Sequence, residues 1–132
     1  MPQSRTTLHR GTDMKPLEGI TILEFSTMIT AALASMMLAE QGARVIKVEP
    51  SDSGDPMRYI GARKGDISSL FAGCNRGKES IKIDLKTEAG QAIIRDMASQ
   101  VDVVIHNFRP GTMESLNPVS YTHLTLPTIR LV

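Results

Sequence analysis

Tryptophan is absent, and tyrosine and phenylalanine together make up 4% of the 132 residues. A core must therefore be aliphatic, with eight methionines filling part of it. A single cysteine, Cys74, excludes an internal disulfide framework and fits a reducing compartment, so the cytoplasm is the expected location. Neither sign of charge is in excess. With a formal net charge of +1 and no basic stripe, nothing favours nucleic acid or an anionic membrane as a partner. The longest apolar run, Ile29 to Ala39, is broken by Thr30 and Ser35 and is too short to span a bilayer. Neither a P-loop nor a GxGxxG turn occurs; STMITAA follows the first apolar run instead, which counts against ATP and NAD. What is present, 41% hydrophobic and 22% charged residues, describes one soluble globular domain, in a length with room for one core and not for two.

Both ends stand apart from the middle. Residues 1–16 carry Arg5 and Arg10 but no acid before Asp13, and are expected to be a disordered leader, with Met1 or Met14 as the true start. From Val119 the chain reads VSYTHLTLPT, which resembles, codon by codon, the translation of a transposon-type sequencing adapter. Residues 118–132 are therefore expected to be a non-native tail and are set aside. Setting aside Val119 to Val132 removes Arg130 and no acid, which leaves bases and acids in balance.

Between the ends, apolar runs alternate with helical segments. Ile20 to Phe25, ITILEF, is a short β-branched run bounded by Gly19 and by Ser26-Thr27, hence a buried strand. Ile29 to Gln41 is rich in Ala, Met and Leu, with Gly42 as its stop, and predicts a helix with little polar face. Arg44 to Pro50 is a second strand, which completes a strand–helix–strand unit of the kind that implies parallel pairing. Ser51 to Lys78, rich in Gly, Ser, Asp and Arg, leaves this alternation, with a short helix near Ser68 to Gly73. Ser80 to Leu85 alternates Ile81, Ile83 and Leu85 with Lys82 and Asp84 and predicts a strand near a sheet edge. Thr87 caps a helix through Ser99 whose apolar stripe is Ala89, Ala92, Ile93, Met97 and Ala98. Asp102 to Phe108 is the last strand. The fold class is α/β: a partial Rossmann-like parallel sheet with flanking helices.

In such a sheet ligands bind beyond the carboxyl ends of the strands. That rule selects Ser26 to Ala31, Glu49-Pro50, Asp84-Leu85-Lys86 and Asn107 to Gly111. Their side chains suit a phosphorylated, nucleotide-bearing ligand: Lys86 and Arg109 for phosphate oxygens, Asn107 as donor and acceptor, Phe108 as an aromatic face. Taken singly, Lys86 and Arg109 are solvated charges at element ends; their convergence with Asn107 makes them a site. His106 has no second histidine or carboxylate at ligand or triad spacing, so neither a metal nor a catalytic role is assigned to it. Cys74 reads as a packing residue and Asp52 and Asp55 as turn formers.

Three blocks carry a resemblance: GITILEFSTMITAALASMMLAEQGARVIKVEPSDSGDPMR, NRGKESIKIDLKTEAG and DVVIHNFRPGTMESL. In this order, over Leu17 to about Asn117, the chain resembles the amino-terminal part of the class III CoA-transferases, a family that includes formyl-CoA and carnitine CoA-transferases and α-methylacyl-CoA racemase. The resemblance implies a Rossmann-like large domain, here residues 17–117, in a full-length homodimer whose subunits interlock. It implies acyl-CoA and a carboxylic acid as substrates, with coenzyme A contacts on Ile29 and Thr30, on Ile83, Asp84, Leu85 and Lys86, and on Asn107, Phe108 and Arg109. Two positions depart from the family. Thr27 and then Thr30-Ala31-Ala32 stand where relatives often show an aromatic or histidine and then Ala-Gly-Pro, and Ser115 stands where some place an arginine. The transferases use an aspartate that becomes acylated and then carries CoA. No Asp or Glu follows Glu114, so no catalytic residue is assigned and the chain by itself is expected to be inactive. The full-length parent is expected to be an acyl-CoA:carboxylate CoA-transferase; the alternatives are an acyl-CoA racemase or epimerase of the same family and a non-catalytic CoA- or nucleotide-binding module.

Overall fold

A computed structural model of the chain describes residues 14–116 and 128–130. Residues 1–13 of the expected leader and most of the expected adapter-derived tail lie outside the described residues. The alternation read from the sequence is present as β1 (Thr21–Phe25), α1 (Thr30–Glu40) and β2 (Arg44–Glu49). The excursion that follows holds a single 3-10 turn (Pro56–Tyr59), the two-residue antiparallel strands β3 (Arg63–Lys64) and β4 (Ile67–Ser68), and α2 (Ser69–Asn75). The chain then returns through β5 (Glu79–Lys82), α3 (Glu88–Ala98), β6 (Val103–His106) and α4 (Thr112–Leu116). A three-residue strand, β7 (Thr128–Arg130), falls inside the segment expected to be non-native and pairs with β6.

The sheet order is β5-β2-β1-β6-β7, and every pairing is parallel. Leu23 stands beside Ile46 on one side and Val104 on the other. β5 is an outer strand, as its polar face implied. Its ladder is extended by one bond, from the amide of Ile83 to the carbonyl of Glu49 at 3.0 Å, before the chain turns away at Asp84.

Side chains alternate across a strand, so the two faces have separate cores. On one face Leu23, Phe25, Val48 and Val104 pack with Ile94 and Ala98 of α3. On the other Ile22, Val45 and Ile105 pack with Ala31 of α1. Helices on both faces bury the central strands, which is why they read as near-continuous apolar runs. The hydroxyl of Thr87 accepts from the amide of Gly90 at 3.1 Å and caps α3 as expected.

The buried stripe of α3 matches the one read from the sequence only in part: Ala98 is buried and Met97 packs against the core. Gly90, Ile94 and Ala98 face the sheet, whereas Ala89, Ala92 and Ile93 are exposed. The reason is steric. A Cβ on Gly90 would lie 2.0 Å from the carbonyl oxygen of Asp84, so this glycine lets the helix approach the chain leaving β5 and its bare face turns inward.

Candidate functional site

The carboxyl ends of β1, β2, β5 and β6 frame a cleft of about 430 Å³. Ser26 and Thr27 enter it after β1, Glu49 to Ser53 after β2, Ile83 to Lys86 after β5, and Phe108 after β6. Val48, Ile83, Leu85 and Phe108 supply its apolar lining, and Lys86 stands among them as a cation.

Five of the nine residues proposed as coenzyme A contacts therefore share one cleft: Ile83, Asp84, Leu85, Lys86 and Phe108. The other four stand around it. The side chain of Asn107 clasps the loop after β1: its Oδ1 accepts from the Thr27 amide at 3.1 Å, while its Nδ2 donates to the Thr27 carbonyl at 2.8 Å and to the Thr30 hydroxyl at 3.1 Å. Ile29 and Thr30 are exposed at the start of α1, and Arg109 is exposed one residue past Phe108. Asp84 shapes its own turn, accepting from the Lys86 amide at 2.9 Å. Asp52 likewise accepts from the Ser53 amide at 2.7 Å, a turn-forming bond. Cys74 is a buried packing residue against Ala32 and Met57.

A buried charge cluster that adjoins the cleft through Ser26 and Glu49 was not read from the sequence. On the α1 side of the sheet, side chains along β1 and β2 change from Ile22 and Val45 to Glu24, Lys47 and Glu49, all at most 1% exposed apart from Ile22 at 2%. The Lys47 ammonium lies 3.0 Å from Glu24 and 2.9 Å from Asp55, and donates to the hydroxyl and carbonyl of Ser26 at 2.8 and 3.3 Å. Lys78 bonds the other oxygen of Glu24 at 2.7 Å, the Ala32 carbonyl at 2.8 Å and Asn75 Oδ1 at 3.0 Å. Hydroxyls of Ser26 and Ser35 donate to the same carboxylate. Beside them the Arg58 guanidinium bonds both oxygens of Glu49, at 2.7 and 2.6 Å, and lies 3.9 Å over the ring of Phe71. Asp55 is more than a turn former: it caps the 3-10 turn through the Met57 amide at 2.9 Å and also pairs with Lys47. Three acids and three bases thus balance one another.

The electrostatics follow from this pairing. Burial pushes the carboxyl of Glu24 up, but Lys47 and Lys78 more than offset it and hold the group below its ordinary value. Burial likewise opposes ionisation of Glu49, and bonds from Arg58, Ser80 and the Asp55 amide bring it down to about 2. A depressed carboxyl contributes stability above its unfolded value, near 4.5, and loses it as pH falls toward about 2. Glu49 is therefore expected to contribute on the order of 3 kcal/mol at neutral pH, lost between pH 4.5 and pH 2. Denaturant unfolding at pH 7 and pH 3 should show a smaller acid loss in Glu49→Gln than in the parent; equal losses would refute this assignment.

A signal for the cluster does exist in the sequence. In a strand covered on both faces there is no solvent side, so Glu24 in TILEF and Lys47 and Glu49 in RVIKVE must find buried partners. Among the described residues no group of three or more His, Cys, Asp or Glu is placed to hold a metal, and no helix is long and apolar enough to cross a membrane.

Comparison with known proteins matches residues 17–126 to the model of CoA-transferase family III. The chain is 38% identical over 117 residues to acetyl-CoA:oxalate CoA-transferase of Acetobacter aceti, covering 89% of this chain and 30% of that protein. It is 42% identical over 101 residues to succinyl-CoA–D-citramalate CoA-transferase of Chloroflexus aurantiacus, covering 76% and 25%. A crystal structure of a hypothetical protein from Mycobacterium tuberculosis superimposes with a TM-score of 0.76 at 35% identity, over 88% of this chain and 32% of that one. The chain thus spans between a quarter and a third of the length of these proteins. The family match and the parallel sheet agree with the resemblance read from the three sequence blocks, and the chain belongs to CoA-transferase family III.

Proposed function

We propose that the chain forms the coenzyme A-binding part of an acyl-CoA:carboxylate CoA-transferase, and that the cleft at the strand ends holds the CoA portion of the acyl donor. The observation that carries this reading is the gathering of Ile83 to Lys86 and Phe108 around one cleft at the carboxyl ends of parallel strands. Those are the positions where an α/β sheet binds nucleotides. Lys86 suits a phosphate oxygen, Phe108 an adenine or apolar face, and Ile83 and Leu85 an apolar arm. Arg109, exposed beside Phe108, is a second phosphate partner in this reading. Asn107 acts by holding Thr27 and Thr30 in place.

Transfer requires a carboxylate nucleophile. It attacks the thioester carbonyl and expels the CoA thiolate, leaving a mixed anhydride. The thiolate then attacks the enzyme's own acyl carbon, releasing the first carboxylic acid and leaving an enzyme-bound CoA thioester, which an acceptor carboxylate takes over in the same two steps reversed. The acids buried here are already committed to Lys47, Lys78 and Arg58, so the nucleophile is assigned to none of them. This chain's share of the chemistry is to bind and orient CoA. The family resemblance extends the proposal to an interlocked homodimer, and the single cysteine to action in the cytoplasm.

The test is calorimetric. In the protein expressed from its complete reading frame, Lys86→Ala and Arg109→Ala are each expected to weaken CoA binding by about 1 to 3 kcal/mol, the worth of a hydrogen bond to a charged group. An unchanged affinity in either variant removes that residue from the site.

A further inference from the structure

We infer that Lys47 is a positioning residue of the cleft: its buried ammonium ties the loop after β1 to the loop after β2 and so fixes the separation of two cleft walls. The inference rests on the reading of the cleft as a CoA site, and deepens it.

The first observation is where the charge sits. On the α1 face, the strand halves near Ile22 and Val45 are solved with apolar side chains. Two residues further on, the same face carries Glu24 and Lys47. Replacing a buried ion pair with apolar groups of similar volume is often neutral or stabilising, so stability alone does not call for charge here. What changes along the strands is their neighbourhood: at Glu24 and Lys47 the sheet is about to end in loops.

The second observation is what the ammonium holds. Lys47 donates to the carbonyl and hydroxyl of Ser26, the first residue after β1, and pairs with Asp55, in the loop that follows β2. Ser26 lines the cleft directly, and so do Glu49 to Ser53 just before Asp55. Asp55 in turn accepts from the amides of Met57, at 2.9 Å, and Met28, at 3.5 Å. Met28 is the one non-glycine residue among those described with a positive φ, 63°, a left-handed conformation that a methionine adopts only when its surroundings hold it there. One buried side chain thus fastens both walls.

The test separates the tie from the fold. Lys47→Met alone leaves Glu24 with Lys78 and strips the buried Asp55 of the lysine that pairs with it, and is expected to unfold. Lys47→Met combined with Asp55→Asn removes one charge of each sign: Glu24 keeps Lys78, Glu49 keeps Arg58, and the asparagine still caps the 3-10 turn. Amide hydrogen exchange on the double variant is expected to leave β1 and β2 protected while the amides of Ser26 to Ile29 and of Gly54, residue 55 and Met57 exchange faster. CoA binding should weaken roughly tenfold or more in the same protein. Protected strands with unaltered loop exchange, or loosened loops with unaltered CoA affinity, would overturn the inference. Failure of the parent protein to bind CoA would instead overturn the CoA reading, and the exchange data would still decide whether the tie exists. If the double variant loses its core protection, Ser26→Ala decides. It removes only the hydroxyl bonds and should loosen the same amides with an affinity loss of about threefold; no change in either would overturn the inference.

Discussion

Glu24→Ala is expected to leave the chain unable to fold. The carboxylate is fully buried and accepts from two lysines and two serines. Its removal brings the ammoniums of Lys47 and Lys78 together with only Asp55 to balance them. Burial already pushes Lys78 below its ordinary value, with Glu24 the main group resisting that drop. Breaking a buried ion pair from one side costs roughly 3–5 kcal/mol, against a total stability of about 5–15 kcal/mol for a whole domain. The expected result is loss of the cooperative thermal transition and of far-UV circular dichroism at neutral pH. Glu24→Gln, which keeps an acceptor in place, should lose less. A Glu24→Ala protein that melts cooperatively within about 1 kcal/mol of the parent would show that the pairing contributes little.

Gly90→Ala is the second large effect expected, and its sign is opposite to the usual one. Glycine inside a helix normally costs about 1 kcal/mol relative to alanine. Here the added Cβ would meet the Asp84 carbonyl oxygen at 2.0 Å, its carbon at 2.8 Å and a methyl of Ile83 at 3.1 Å. Two of these atoms are backbone and cannot rotate away, so α3 or the Asp84–Lys86 turn must move. Overpacking of this kind costs about 1–3 kcal/mol and sometimes more. The displaced turn is a wall of the cleft, so CoA affinity should fall with stability. Denaturant unfolding and calorimetry on one preparation check both. A Gly90→Ala variant more stable than the parent would contradict the packing described.

Most of the architecture was legible because it rests on local signals. β1, α1 and β2 lie where the β-branched runs and the Ala- and Met-rich segment placed them, and the Thr87 cap is in position. Ala89, Ala92 and Ile93 of the α3 stripe were misread because periodicity weighs only side chains that exist, and the contact that orients this helix depends on one that does not. Within residues 51–78 only the short helix was legible, present as α2; the rest is a 3-10 turn and two-residue strands, too short to show a period. The cleft was legible as strand ends, since topology fixes it. The buried ion cluster was not, because Glu24 and Lys47 look in isolation like the solvated face of a strand. Only the helices stacked on both sides remove that solvent.

The balance of three buried acids against two buried lysines and the half-buried Arg58 also bears on how this sequence can drift. A substitution at Glu24, Lys47 or Lys78 alone passes through an uncompensated intermediate, whereas a paired exchange need not. Descendants of this chain are therefore expected to keep these positions together or to lose them in compensating pairs. The apolar positions one turn of the pleat earlier, Ile22 and Val45, are free to vary one at a time among residues of similar volume.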